Sequence, residues 1–458
     1  MLEPGNFEYK KLIERFEEMV SLGEEYFFDV ENFEHISDYY IQFGKDKRAL
    51  ESLNIGLNQH PLSSELLIRR AQVYLDMTDL DKADSDLLLV EKIDPQHPDA
   101  LIGRAEWLSK KGQHNKAIQK LKQAGKAMGT FEEVNPMIAS EYLEVADYRR
   151  AAEYFKRVLM NDYDDGSALF SLSFCYDMLD ESDELVSFLK TYIDANPYSE
   201  LAWHQLGLVY QKNKQYESAI ESFDFACVID DYFSAAHYEK ARAFEMLGNH
   251  EEAIKIYKSL VEIEDFNAYA YLRMGVAYQS MGDYKEAKRY LTKAYNDDPE
   301  LDEVVIKMIT LHEELEEWRE ALYYAKRLID IHNTIAHRFY YALLSQKAGL
   351  LEDAAEMLIE MMDMNDCPAE VYMLYADIIM EWDDIDESID MLFEASQLFP
   401  ENPQIHLRLG VLLFETNDID QSVHHFSEAI KLDDEMAFYF FEDFPELANH
   451  KLISQLLK

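Results

Sequence analysis

A spacing of 34 residues constrains this chain more than any other feature. In Ala268–Leu301, AYAYLRMGVAYQSMGDYKEAKRYLTKAYNDDPEL, small or turn-forming residues stand at Gly275, Gly282, Ala287, Ala294 and Pro299, with large apolar residues between them. The same grammar appears 34 residues earlier, and 34 earlier again. A fixed period of this length belongs to chains that stack one supersecondary unit on copies of itself.

The unit reads as two helices joined by a turn. Tyr271, Met274, Gly275 and Tyr278 share one face of a first helix over about Ala268–Met281. Gly282 stops it, because glycine readily takes the left-handed conformation that ends a helix. Asp283 starts a second helix, with Tyr284, Ala287, Leu291 and Ala294 on one face. Asp298-Pro299 closes the unit, since a residue before proline is pushed out of the helical region. Gly275 and Ala287 are small where the helices meet. Helices of this length are marginal alone in water, so each unit needs its neighbours to bury its second face.

This grammar resembles the tetratricopeptide repeat, carried most fully by Trp203, Leu206, Gly207, Tyr210, Ala219, Phe223 and Ala226 in the unit from Glu200. That unit departs at its end, where Asp231 replaces proline. The resemblance implies an all-α, right-handed superhelical solenoid of antiparallel helix pairs. It predicts twelve repeats over residues 30–436, with a capping helix in residues 1–29 and another in residues 437–458. The N-terminal helix is Phe7–Leu22, after a Pro4-Gly5-Asn6 turn. The repeat from Gly166 carries Leu185 where a small alanine is usual. A repeat begins one residue early at about Ile335, which places a missing residue in the turn at His332-Asn333-Thr334. In the tail, Phe438, Tyr439, Phe440, Phe441 and Phe444 crowd together, either as part of the cap or as a dimerisation or docking patch.

Composition narrows the functional classes. The 458 residues carry a formal net charge of −47, which argues against direct nucleic-acid binding, since phosphates require clustered lysine and arginine. No run of about 18 apolar residues exists, so no membrane insertion is expected. Cys175, Cys227 and Cys367 lie far apart with no CxxC, which points to a reducing compartment. The N-terminal stretch lacks an apolar signal core, and a cytoplasmic location is the expectation.

Catalysis needs a constellation of groups. There is no GxxxxGK[ST], GxGxxG after a strand, GxSxG or HExxH. His312-Glu313-Glu314 resembles the last in letters but has no second histidine at the needed spacing. His424 and His425 are adjacent and point to different sides of a helix. Neither a cofactor nor a metal is expected, and the chain reads as non-catalytic.

The resemblance further implies that first helices line a concave surface. It assigns Phe170, His204, Tyr238, Leu272, Ile306, Phe339 and Met373, with Ile68, Ile102, Pro136 and Leu407, to one position per repeat. Each either faces the groove or packs between successive repeats. As a set they suit an apolar helix or extended segment of a protein partner. Charge offers an alternative. Residues 352–443 hold 25 acids against Arg408 and Lys431, whereas residues 98–127 carry a net +5. The acidic end is either a solvated face or a docking surface for a basic partner, as in an acidic chaperone or decoy for basic, nucleic-acid-binding proteins.

Overall fold

The computed structural model describes residues 7–161, 165–263, 267–364 and 366–435, together with 447, 452 and 453. Among the described residues the chain forms 25 α-helices, α1 to α25 in chain order, and no strand. The first is α1 (Phe7–Leu22), and the rest alternate as first and second members of helix pairs from Val30 to Leu432.

Within every pair the turn contains one residue in the left-handed region. Five are glycines: Gly44, Gly112, Gly248, Gly282 and Gly349, at φ from 65° to 77°. At the equivalent places Thr78, Ala146, Asp180, Lys214, Glu316, Asp383 and Asn417 adopt φ from 56° to 66°. These twelve turns recur every 34 residues, except for a 33-residue step from Glu316 to Gly349. The shortfall lies in the connection 332–334, three residues long where 298–301 and 230–233 have four. Helix starts follow from capping chemistry. Asp79, Asp283 and Asp418 each accept a hydrogen bond from the backbone N–H three residues on, satisfying a donor the helix cannot use.

The chain divides into two compact units, Met1–Ala243 and Phe244–Lys458. In the first, Phe16 and Met19 of α1 join Phe28, Phe33, Ile36 and Tyr40 in a buried cluster. A larger cluster runs from Leu101 to Val209 and contains Leu172, Cys175, Leu185 and Leu189. In the second unit the core is a chain of smaller clusters. There Ser388 and Ser422 stand where other repeats have alanine, and each donates its hydroxyl to a carbonyl of the facing first helix, at Ala376 (3.0 Å) and Gly410 (2.7 Å). Leu447 and Ile453 are buried with Leu407, Phe426 and Ala429. The tail aromatics Phe438, Tyr439, Phe440, Phe441 and Phe444, and the Pro4-Gly5-Asn6 turn, lie outside the described residues.

Candidate protein-interaction surface

Most pairs close on a small residue. In α12 (Glu200–Lys212) and α13 (Tyr216–Ile229), Gly207 lies under the Phe223 ring so closely that a Cβ there would sit 2.5 Å from it. Ala219 is fully buried beside them. The preceding pair, α10 (Gly166–Leu179) and α11 (Ser182–Ala195), has Ser173, Leu185 and Leu189 at the three equivalent places. A leucine where an alanine normally allows close approach holds the helices apart, and α10 and α11 touch far less than α12 and α13 do.

The separation opens a cleft of about 280 Å³ between α10, α11 and α12. Phe170, Phe174, Tyr176, Leu185, Leu208 and Val209 supply its apolar walls. Lys212 and Asp177 form an ion pair on its lining. Gln205 also lines it, 3% exposed, with its side-chain amide nitrogen unpartnered. A buried unpaired donor is uncommon and costs free energy unless something accepts from it. On α10, Phe170, Phe174 and Met178 are each 50% exposed, four residues apart. They form an apolar stripe one turn per step along α10. The Phe174 ring meets Tyr148 edge-on at 5.9 Å, which limits its freedom.

The residues expected to line a groove fall into two classes. Phe170 and Ile306 are exposed, at 50% and 39%. Tyr238 and Phe339 are half-buried. His204, Leu272 and Met373 are buried and contribute to the core, which removes them from any open surface. His204 lies between the Phe223 and Phe233 rings (5.7 and 5.0 Å), and its burial pushes its pKa down. Of the further positions, Leu407 is buried and Ile68, Ile102 and Pro136 are half-buried. One position per repeat therefore does not trace a surface, because its exposure depends on the side chains of the next pair. Phe174, Gln205 and Leu208 line the cleft and Met178 continues the exposed stripe, and none of the four is among the positions expected from the repeat. Their signal is present in the chain: an apolar series at 170, 174 and 178, additional to the buried series Leu169, Leu172 and Tyr176.

Burial pushes the Cys175 and Cys227 thiols up to about 11, where they are poor nucleophiles. Among the described residues no three His, Cys, Asp or Glu side chains gather as a metal site. No described helix is long and apolar enough to cross a membrane.

Family models for the tetratricopeptide repeat match residues 64–97, 137–200, 204–268, 268–301 and 403–436, together about half of the chain. The chain belongs to the tetratricopeptide repeat family. This repeat protein is similar, at 22% identity over 153 residues, to anaphase-promoting complex subunit 3 of Schizosaccharomyces pombe, covering 33% of this chain and 23% of that protein. It is similar, at 26% identity over 124 residues, to the general transcriptional corepressor trfA of Dictyostelium discoideum, covering 27% of this chain and 9% of that one. The repeat protein thus spans less than a quarter of the length of these curated relatives. Among solved structures, yeast Tom70 overlays at a TM-score of 0.36 with 15% identity, covering 92% of this chain and 96% of that one. The Naa15/Naa10 structure bound to HypK-THB overlays at 0.36 with 13% identity, covering 93% and 72%.

Proposed function

We propose that this tetratricopeptide repeat chain is a non-catalytic scaffold that binds an apolar segment of a partner protein, anchored at the α10–α12 cleft. The observation that carries the reading is the half-exposed series Phe170, Phe174 and Met178 beside a cleft whose one unpaired buried donor is the Gln205 amide. A bulky apolar side chain fills the cleft, and a backbone carbonyl of the same segment accepts from Gln205. The Lys212–Asp177 pair supplies a polar rim. In this reading α1, and the segment containing Leu447 and Ile453, cover the ends of the repeat series, which need an altered outer face.

The test is a peptide-display library selected against the full chain at high salt. Selected peptides should carry a large aliphatic or aromatic anchor. Phe174→Asp should weaken them about tenfold, the equivalent of one apolar side chain left unburied. Peptides that bind Phe170→Asp and Phe174→Asp as tightly as the parent chain would remove the assignment.

A second reading rests on the acidic end. Between residues 352 and 435 the cations are Arg408 and Lys431, already engaged by Asp377 and Glu428. The remaining carboxylates there make a surface suited to a basic partner, held by long-range attraction that salt screens. The basic stretch is partly neutralised, because Arg104 bonds Asp84 and Glu91 and Lys120 lies 3.6 Å from Glu91. Capture of a basic protein at low salt and its release at high salt would favour this reading. Absence of capture at low salt would end it.

A further inference from the structure

Four contacts in a 34-residue register join a lysine on a second helix to a tyrosine on the first helix that follows. Lys122 lies 5.3 Å from the Tyr142 ring centroid and donates to its hydroxyl at 2.9 Å. Lys156 lies 5.0 Å from the Tyr176 ring, and Lys190 lies 5.7 Å from that of Tyr210. Lys258 lies 5.8 Å from the Tyr278 ring and donates to its hydroxyl at 3.2 Å. Each tyrosine is 20 residues after its lysine. Every such contact places an ammonium against an aromatic face, and two also give it a hydroxyl acceptor.

The register is interrupted at Asp224 and Phe244, between the third and fourth contacts, and again at the step after Tyr278. Thr292 stands where the lysine would be, and His312 where the tyrosine would be. Thr292 lies on α17 (Tyr284–Asp297) and His312 on α18 (Asp302–Glu314). Threonine has neither the four-carbon stem nor the charge, and its hydroxyl is spent on the Lys288 carbonyl (2.6 Å). A cleft of about 330 Å³ opens at this place, completed by Glu320, Tyr323 and Tyr324 of α19 (Trp318–Ile331). His312 is 1% exposed and stacks on Tyr324 at 5.6 Å. Its Nδ1 lies 2.6 Å from Glu317. In the neutral imidazole, donation from Nδ1 to that carboxylate leaves Nε2 as an acceptor, the role the hydroxyl plays at Tyr142 and Tyr278. Lys288 also borders the cleft, but Glu317 already holds it at 2.7 Å. Glu320 is exposed and acts electrostatically on both His312 and Tyr324.

We propose that this cleft takes a lysine side chain from a partner protein, which supplies the ammonium–aromatic contact that the chain itself makes at four other steps. The stem lies along Met308 and Tyr324, and the ammonium meets the His312 and Tyr323 rings and the Glu320 carboxylate. Arg319, exposed, also lies on the cleft lining and opposes any ammonium there, so the Glu320 carboxylate has to outweigh it. The site is independent of the α10–α12 cleft, and the failure of either leaves the other standing.

The experiment is a titration of the full chain, isotope-labelled at methionine methyls and at constant ionic strength, read at Met308. The probes are the blocked peptide acetyl-Gly-Lys-Gly-amide, its Gln counterpart, its Glu counterpart and spermidine. The lysine peptide should give a saturable shift that the Gln and Glu peptides do not. Thr292→Lys should abolish the shift by filling the cleft from within, and Glu320→Gln should weaken it several-fold. An equal response to the Gln peptide, a stronger response to the Glu peptide, or persistence of the shift in Thr292→Lys would overturn the proposal. Tighter binding of spermidine than of the lysine peptide would also overturn it, by assigning the cleft to a free polyamine.

Discussion

Two neighbouring helix pairs of the first unit, α10–α11 and α12–α13, share a period, a left-handed turn and a similar length, yet one is open and the other closed. They differ at three aligned places: Ser173 against Gly207, Leu185 against Ala219, and Leu189 against Phe223. In the closed pair the glycine gives the phenylalanine ring a seat on the backbone, and the alanine lets the helices approach. In the open pair the ring is gone, and a leucine 3% exposed fills the position of closest approach. Both pairs bury apolar groups, so both are stable. Only the open one leaves a cleft, and the unpaired Gln205 amide of α12 lines it. The repeat framework and the candidate site are therefore set by different residues of the same helices.

The largest expected effect tests the closed arrangement where it contains a titratable group. In the pair α24 (Pro403–Glu415) and α25 (Ile419–Leu432), Gly410 seats Phe426 as Gly207 seats Phe223. Beside this contact His406 and His425 are buried with their Nδ1 atoms 2.9 Å apart, so one donates and the other accepts. Phe393 packs on His425, and His424 and Glu428 flank it on its own helix. Burial, followed by repulsion from the other imidazoles, pushes the His425 pKa from 6.5 down to about 4. The folded state therefore prefers neutral His425. Its stability contribution is fully present above pH 6.5 and is lost as the pH falls from there toward 4. The loss is about 3 kcal/mol. Repeat arrays open locally, so the measurement is amide exchange in α24 and α25, corrected for intrinsic rates. Protection should collapse over that window and persist in α10 and α11, which contain no histidine. His425→Gln should remove the dependence. Equal behaviour of the two pairs would show that the histidines do not govern the closed contact.

How far these differences were legible in the chain depends on the residue. The 34-residue period, the twelve turns and the short connection at 332–334 follow from glycine, proline and apolar spacing, which act locally. Leu185 stood out as an oversized residue at a small position. What it does to α10 and α11 depends on Ser173 and Leu189 together, and only packing shows that. The burial of Leu272, His204 and Met373 was out of reach for a related reason. Each sits at a repeat position that is exposed at Phe170, because what covers it comes from a neighbouring element whose side chains vary. The lysine–tyrosine series was present as a period in the sequence, but spacing alone says nothing of an ammonium meeting a ring.

A smaller effect separates the two pairs directly. Gly207→Ala places a methyl 2.5 Å from the buried Phe223 ring, which has nowhere to go, and should cost about 2 kcal/mol through overpacking. Ser173→Ala, in the open pair, should change stability by less than about 0.5 kcal/mol, because no ring lies over it. Denaturation monitored by exchange of α12 and α10 amides reads both. If the two substitutions cost the same, the glycine seat is not what closes α12–α13.

The smallest effect asks whether the turns contribute to the difference. Lys214 joins α12 to α13 at φ 59°, and Asp180 joins α10 to α11 at φ 57°. Left-handed backbone costs an ordinary side chain about 1 kcal/mol, whereas aspartate tolerates it better through its short polar group. Lys214→Gly should therefore stabilise the closed pair by about 1 kcal/mol, less the entropy that glycine regains in the unfolded chain. Asp180→Gly should gain about half of that in the open pair. Neither should change binding of selected apolar peptides, because neither side chain lines the cleft. If Asp180→Gly closed the cleft and reduced peptide binding, the separation of α10 and α11 would belong to turn geometry, and Leu185 would be its consequence. If binding holds while stability rises, the wedge is the cause, and the turn only carries the chain from one helix to the next.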